Sequence, residues 1–525
     1  MNRKEFIGNS IKAGFIPVML GGFSVKTFAD SPLVAFLNKA GNEDRVLVLI
    51  QLNGGNDGLN TVIPLDQYSK LYAARQNIII AESKVLSITG TTATGLHPAL
   101  AEMRSLYNNG KVSIIQSVGY PNPDFSHFRS TDIWLTASDS DKYVDTGWMG
   151  RYLDTKFPGF PTGYPNATYP DPPAIQIGAM VSPALQGNAA SLGMSITDPT
   201  AFYQFVSGTV DPAPATPAGH ELTFLRLVAQ QTEQYSGSIK AAATAATNLS
   251  TLYPTTGTNT LADQLKIVAR LIAGGLKTRV YMVSLGGFDN HSAQVVSGAT
   301  DTGTHATLLQ KISVAVNAFQ NDLELLNIDN RVLGMTFSEF GRRIKSNASL
   351  GTDHGAAAPL FIFGKKVNGG LYGPNPTIPT GASGGDNVPM GYDFRAIYAT
   401  LLKDWFEVSD TDLTSIMLKQ FTTLPFVNSN ATSLQKVSAN GLGELDNYPN
   451  PASTQTTIRF TSNGEPVKIK LFDNTGKELM ELVDGNYSSG THEILVNTES
   501  FKNGMYYYQL QNGNFQKTRT LIINK

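Results

Sequence analysis

Residues 332–364 read VLGMTFSEFGRRIKSNASLGTDHGAAAPLFIFG. An apolar run, Val332–Phe337, enters a polar turn and a segment read as a short helix. Asp353 and His354 then stand side by side on a glycine-rich loop, and a second apolar run, Pro359–Phe363, follows. Apolar runs without alternation are the pattern of strands covered on both faces, as in a parallel sheet. The polar stretch between them is where such a sheet carries chemistry. Gly351 and Gly355 permit the sharp turn that an adjacent Asp and His need to reach one cation.

The same grammar of strand, polar loop and helix repeats upstream. RVLVLIQL, 45–52, breaks off at Asn53-Gly54-Gly55-Asn56-Asp57-Gly58; KVSIIQSVG, 111–119, runs into YPNPDFSHFRSTDIW, 120–134; TRVYMVSLGG, 278–287, delivers Asp289 and His291. Between these runs, Leu261, Leu265, Val268, Leu271 and Ile272, and then Leu308, Ile312, Val316, Phe319 and Leu323, keep helical spacing. The expected fold class is therefore α/β: a mostly parallel central sheet with helices on both faces. Ligands of such sheets lie beyond the carboxyl ends of the strands, where Asp57, Asp289 and His291 fall. In an extended loop, residues two apart point the same way, so Asp289 and His291 can share a cation. Asp57 has a second reading, as a turn carboxylate accepting backbone N–H bonds. Ser126 is expected to open a helix, either as an N-cap bonded to the backbone or as a nucleophile at the positive end of the helix dipole. His97, in a His-Pro turn, and His127 are possible acid–base groups, and His305 lies at a helix start.

Composition bounds the rest. The chain has 525 residues, enough for roughly two to four domains. Its formal net charge of −2 gives no basic excess for nucleic acid. With no Cys, disulfides, thiolate metal sites and a Cys nucleophile are excluded, so any metal must use O and N ligands. Residues 1–29 read as an export signal, with Arg3 and Lys4, an uncharged stretch and a small-residue end at Ala29; that stretch is well short of the ~20 apolar residues of a membrane span. NRKEFIGNS resembles a twin-arginine signal, with Lys4 in place of the second Arg. Residues 155–220, rich in Pro, Gly and Thr, are expected to be surface excursions, and 371–388 a loop. After the main domain, 44–427, a polar linker over 428–447 leads to short alternating strands from 448 to 525, a small C-terminal all-β sandwich.

Two resemblances follow from these motifs. Tyr448-Pro449-Asn450-Pro451, LFDNTGKEL, Gly504-Met505-Tyr506 and the final KTRTLIINK resemble the sorting domain of the type IX secretion system. This implies the secretion machinery as a partner of 448–525, and an extracellular or outer-membrane-surface location. LNGGNDGLNT, LHPAL, SHF, GGFDNHSAQ, SEFGRR and GTDHG, in this order, resemble the secreted family called domain of unknown function 1501, with Phe288-Asp289-Asn290-His291 where that family usually has Trp-Asp-Thr-His. The family in turn resembles the alkaline phosphatase and sulfatase superfamily. That resemblance implies Asp57, Asp289, His291, Asp353 and His354 as ligands of one or two divalent cations, zinc or manganese. It places a nucleophile at an early helix N-terminus, where Ser126 is the nearest match and Thr61 the second.

The chemistry so implied is metal-dependent hydrolysis of a phosphate or sulfate ester. Arg342 or Arg343 would clamp the transferred group, and Glu339 would be a further ligand or a base. The alternative is a non-catalytic cell-surface binding protein on the same fold. A structural calcium site fits less well, because calcium prefers six to eight oxygen ligands and two of the candidates are histidines.

Overall fold

The structure is a computed structural model that describes residues 44–199, 234–428, 445–462, 464–473, 477–488, 490–512 and 515–525. The export signal expected over 1–29 and nearly all of the expected linker lie outside the described residues. The chain divides into two compact units, Met1–Ser429 and Asn430–Lys525.

The first unit is built on a nine-stranded sheet. Its strands are β1 (Val46–Leu52), β2 (Val112–Gly119), β3 (Ala174–Ile177), β4 (Gly193–Ile196), β5 (Val280–Leu285), β6 (Val332–Phe337), β7 (Ala358–Phe363), β8 (Gly370–Tyr372) and β9 (Tyr392–Asp393). Their spatial order is β8-β2-β7-β6-β1-β5-β3-β4, with β9 also on β2. Every pairing is parallel except those of β7, which runs against both β2 and β6. The mostly parallel sheet expected from the unalternating apolar runs is thus present. Centrally placed β1 shows why no alternation is needed: Leu47 and Leu49 enter one core, while Val46, Val48, Ile50 and Leu52 enter the other.

Helices cover both faces. They include α1 (Tyr68–Arg75), α2 (His127–Thr136), α3 (Trp148–Lys156), α4 (Thr260–Ala273), α5 (Thr304–Leu325) and α6 (Phe394–Thr400). The apolar stripes of α4 and α5 fill one core through Leu265, Val268, Ile312 and Phe319, while Trp134, Trp148, Tyr152 and Tyr398 fill the other. Trp148 stacks on Tyr398 with ring centroids 3.9 Å apart.

Two stretches differ from expectation. Residues 155–220 are not only surface excursions, since they contribute β3 and β4; AIQI and GMSI are four residues each, too short to show a period. After Ser338 the chain forms no helix but a β-hairpin, Arg342–Ser346 against Thr352–His354. Its glycines serve close approach rather than a sharp turn: a Cβ on Gly351 would lie 2.4 Å from the His291 carbonyl carbon, and one on Gly355 2.3 Å from that of Arg342.

The second unit pairs its strands antiparallel. A three-stranded sheet holds Leu445–Tyr448, Gln455–Ser462 and Gly490–Asn497, and a four-stranded sheet holds Glu478–Asn486, Pro466–Phe472, Gly504–Asn512 and Phe515–Ile523. Ile458, Phe460, Val467, Ile469, Leu471, Tyr508 and Leu521 form the core between them, as expected of a small β-sandwich.

Candidate metal centre

The carboxyl ends of four parallel strands bring the functional side chains together. β5 leads to Asp289 and His291, β6 to Glu339, β2 to His127 at the start of α2, and β1 to the Gly54 loop; the hairpin after β6 adds Asp353 and His354. The loops fit tightly. Gly54 has φ +122°, and a Cβ there would sit 2.3 Å from the Asp289 backbone nitrogen, so only glycine lets the β1 loop lie against the β5 loop.

Three imidazoles face the Asp289 carboxylate. Nε2 of His291 is 3.1 Å from Oδ1, Nε2 of His354 is 3.2 Å from the same oxygen, and Nε2 of His127 is 3.4 Å from Oδ2. The Nε2 atoms of His291 and His354 are only 2.8 Å apart. Each ring has its Nδ1 on an acceptor: His127 on Glu339 Oε1 at 2.9 Å, His354 on the Phe125 carbonyl at 2.7 Å, His291 on Asp353 Oδ1 at 3.3 Å. An acceptor at Nδ1 places the proton there and leaves Nε2 with its lone pair, the arrangement found behind metal-ligating histidines. Donors bound to one tetrahedral cation at about 2.0–2.1 Å stand roughly 3.3 Å from one another, close to the spacing found here. The donor set therefore fits a small divalent cation. Among the described residues, ligand atoms of His127, Asp289 and His354 all lie within 4.8 Å of one another. Phe340, buried, packs its ring against His127 and His354.

Burial works against the charge on Asp289, but the hydrogen bond from Arg342, with the His354 ring beside it, holds its carboxyl down at about 2. Burial lowers His354 from its ordinary value, outweighing the bond to Phe125. The Asn347 amide, with its Nδ2 3.1 Å from Oδ1, holds Asp353 low. These effects favour anionic carboxylates beside a neutral His354, the protonation states that bind a cation.

Of the five expected ligands, Asp289, His291 and His354 come together. Asp353 does not point to the same place; it backs His291, because consecutive residues of an extended strand project to opposite sides. Asp57 is absent from the group. Its carboxylate is 3% exposed and accepts from Arg75 Nη1 at 2.9 and 2.8 Å and from Gln294 Nε2 at 2.7 Å, a buried ion pair rather than a ligand. His127 takes a place in the cluster that its sequence context, a possible acid–base group, only partly suggests.

The residues expected to be catalytic also lie among protein partners. Arg342, 2% exposed, donates to the carbonyls of Gly54, Gly55, Phe288 and Thr352 and to Asp289 Oδ1 at 2.7 Å. It ties three loops and the Asp289 carboxylate together. Glu339 has both carboxylate oxygens on protein donors. Its Oε1 accepts from Gly54 N at 2.8 Å as well as from His127, and Oε2 from the Ser338 hydroxyl at 3.2 Å. Ser126 is the N-cap of α2 and is exposed, but its side chain makes no cap bond. Thr61 is buried, bonded to the Asp57 carbonyl. His97 and His305 are buried away from the cluster, His97 accepting from Ala99 N and His305 Nε2 lying 2.9 Å from Asn56 Oδ1. Arg75, Gln294 and Asn347 were invisible to sequence reasoning. Arg75 lies on a polar helix and reads there as a surface residue.

A family model described as a protein of unknown function (DUF1501) matches residues 119–417, more than half of the chain. The chain belongs to the DUF1501 family. A second model, the secretion system C-terminal sorting domain, matches residues 446–524 behind the DUF1501 region. This DUF1501 protein is therefore exported through the type IX system to the cell surface or beyond. Among its described residues, no helix is long and apolar enough to cross a membrane. No curated protein matches it. Among solved structures it is similar to the PsFucS1 sulfatase from Pseudoalteromonas sp. (10% identity, TM-score 0.31, covering 90% of this chain and 87% of that one). It is also similar to the phosphonate monoester hydrolase SpPMH from Silicibacter pomeroyi (10%, 0.29, 91% and 89%) and to the alkaline phosphatase of the Antarctic bacterium TAB5 (10%, 0.26, 62% and 94%). At such scores these likenesses carry no argument about the chemistry of this chain.

Proposed function

We propose that this DUF1501 protein is an exported, metal-dependent hydrolase of phosphate or sulfate esters. The observation that carries the reading is the convergence of three Nε2 atoms on Asp289, each ring held by an acceptor at Nδ1. The cluster is open to solvent, with the Asp289 and His291 side chains 47% and 45% exposed. Structural zinc sites close over their ion, whereas catalytic ones keep a face free for substrate. That openness favours an enzyme over a binding protein with a structural metal.

A divalent cation there, zinc or manganese by the nitrogen and oxygen donor set, would stabilise negative charge developing on an ester oxygen. Asp289, His291, His354 and His127 would hold it, with Asp353 and Glu339 fixing two of the rings. The nucleophile we assign is Ser126. Its neighbours on both sides touch the cluster, Phe125 through its carbonyl and His127 through its ring, and it heads the ten-residue α2, whose dipole favours an anion. With Arg342 committed to the loops, Arg343 takes the role of anion clamp; it is half-buried and stands over the Phe125 ring at 4.7 Å.

The test is elemental mass spectrometry on the purified full chain reconstituted with zinc or manganese, followed by hydrolysis of p-nitrophenyl phosphate and p-nitrophenyl sulfate. Near-stoichiometric metal in wild type, lost in His291→Ala, and turnover lost in Ser126→Ala are expected. A protein that takes up neither metal would refute the reading.

A further inference from the structure

Between β2 and α2 the chain turns through Tyr120–Ser126 and then sets down a helix whose first residue, His127, belongs to the cluster. Pro121 and Pro123 have no N–H to close this turn, and side chains close it instead. Asp124 N donates to the Tyr120 hydroxyl at 3.0 Å, and the Ser130 hydroxyl donates to the Asp124 carbonyl at 2.7 Å. The two hydroxyls lie 2.9 Å apart; with the Ser130 proton on the carbonyl, Tyr120 supplies the proton between them. Each hydroxyl in this ring gives one proton and takes one, so the bonds run in one direction and polarise one another. Tyr120 is 4% exposed and Ser130 is fully buried, so water does not compete for them.

Held by its backbone in this way, Asp124 uses its side chain on the next peptide. Its Oδ1 accepts from Ser126 N at 2.6 Å, while the carbonyl of that same peptide unit, Phe125 O, faces His354 Nδ1 at 2.7 Å. A peptide unit is planar, so fixing its N–H fixes the direction of its C=O. A carbonyl can only accept, which puts the His354 proton on Nδ1 and leaves Nε2, 3.2 Å from Asp289 Oδ1, with its lone pair. A carbonyl free to swing would let the two tautomers of the ring compete. Asp124 is not among the grouped ligand atoms of His127, Asp289 and His354. We infer that Asp124 is a positioning residue: held by the ring through Tyr120 and Ser130, it sets the Phe125–Ser126 peptide, and through it the tautomer and direction of His354. The role needs an acceptor oxygen and no charge, so an Asn in the same Asx turn should fill it. The inference rests on the proposed metal site for His354 as a ligand, whereas the state of the His354 ring can be read without metal.

Full-length wild type is compared with Asp124→Ala, Asp124→Asn, Tyr120→Phe, His354→Ala and the Asp124→Ala, His354→Ala double variant. Tyr120→Phe keeps the ring that packs edge-on against Phe394 at 6.1 Å. The chain has only 7 histidines, so isotope-labelled histidine and proton–nitrogen correlation spectra of the metal-free protein resolve the ring tautomers, with His354 identified by its loss in His354→Ala. Expected is a His354 ring protonated at Nδ1 in wild type and Asp124→Asn, and mixed tautomers in Asp124→Ala and Tyr120→Phe. In zinc calorimetry Asp124→Ala should bind about tenfold more weakly than wild type and Asp124→Asn within about twofold of it, and Asp124→Ala should cost nothing further once His354 is removed. An unchanged His354 tautomer in Asp124→Ala would overturn the role. So would Asp124→Asn binding as weakly as Asp124→Ala, which would make the charge the active feature, or an equal loss from Asp124→Ala in the His354→Ala background. A wild type that takes up no zinc, with the His354 tautomer still lost in Asp124→Ala, would instead refute the hydrolase and leave the positioning role standing.

Discussion

Asp57→Asn tests whether the β1 loop holds a ligand or a strut. In the native fold Asp57 is 3% exposed and Arg75 is fully buried; burial opposes the carboxylate charge, but Arg75, with His305 and Gln294, holds it below the ordinary carboxylate range. The substitution leaves the guanidinium with the carbonyls of Ile344 (2.9 Å) and Arg343 (2.7 Å) and the Asn60 amide oxygen (3.2 Å), but with no countercharge. Breaking a buried pair from one side costs about 3–5 kcal/mol. In urea, with the large m-value of a domain of this size, that moves the unfolding midpoint down by on the order of 1 M. Metal stoichiometry at saturating zinc, read by elemental mass spectrometry, should stay at the wild-type level. A variant with a stability within about 1 kcal/mol of wild type and no bound metal would refute the reasoning and return Asp57 to the ligand set.

Asp289→Asn takes a half-exposed partner from the buried Arg342, so unfolding in urea should shift by less than in Asp57→Asn while metal binding is lost, as the same two assays report. Glu339→Gln removes the charge that fixes His127, and zinc titration should show affinity lower by about 10–100-fold. Gly54→Ala places a Cβ 2.3 Å from the Asp289 nitrogen at φ +122°, and should lower both the melting temperature and metal occupancy. Burial depresses His97 to about 3 and His305 to about 4, against about 6.5 in the unfolded chain. The stabilisation from keeping them neutral is fully present above pH 6.5 and is lost as pH falls toward 4, by on the order of 3 kcal/mol for His305. Urea midpoints taken from pH 7 to 4 should fall steeply in wild type and less steeply in His305→Gln.

Much of the architecture was legible because long buried strands leave a plain mark. Val46–Leu52, Val112–Gly119, Val280–Leu285 and Val332–Phe337 are all apolar runs that end in polar loops, and those loops do converge. The four-residue strands at Ala174 and Gly193 carry too little pattern to separate them from the proline-rich surroundings. At the site, the spacing of Asp289 and His291 put both on one loop, and their side chains do meet. Asp57 and Arg342 read the same in sequence whether they face a ligand or a buried partner, because both are charges in a loop after a strand. Only the partner decides, and for Asp57 it is Arg75, eighteen residues away on α1. Glu339 and His127 were noted separately, yet their pairing across 212 positions has no signature in a single chain.

The one strand that runs backwards has a consequence for how this surface can change. Because β7 returns beside β6, the stretch from Ser338 to Ala357 leaves and re-enters the sheet through neighbouring staves on one edge. It carries Glu339, Arg342, Asp353 and His354 as a single contiguous cassette. A parallel successor would have needed a crossover of a dozen or more residues and would have split that cassette between opposite edges. Evolution or an engineer can therefore move the stretch as one piece, provided the tip keeps the Ser349 and Leu350 carbonyls that accept from the Ala293 and Gln294 nitrogens.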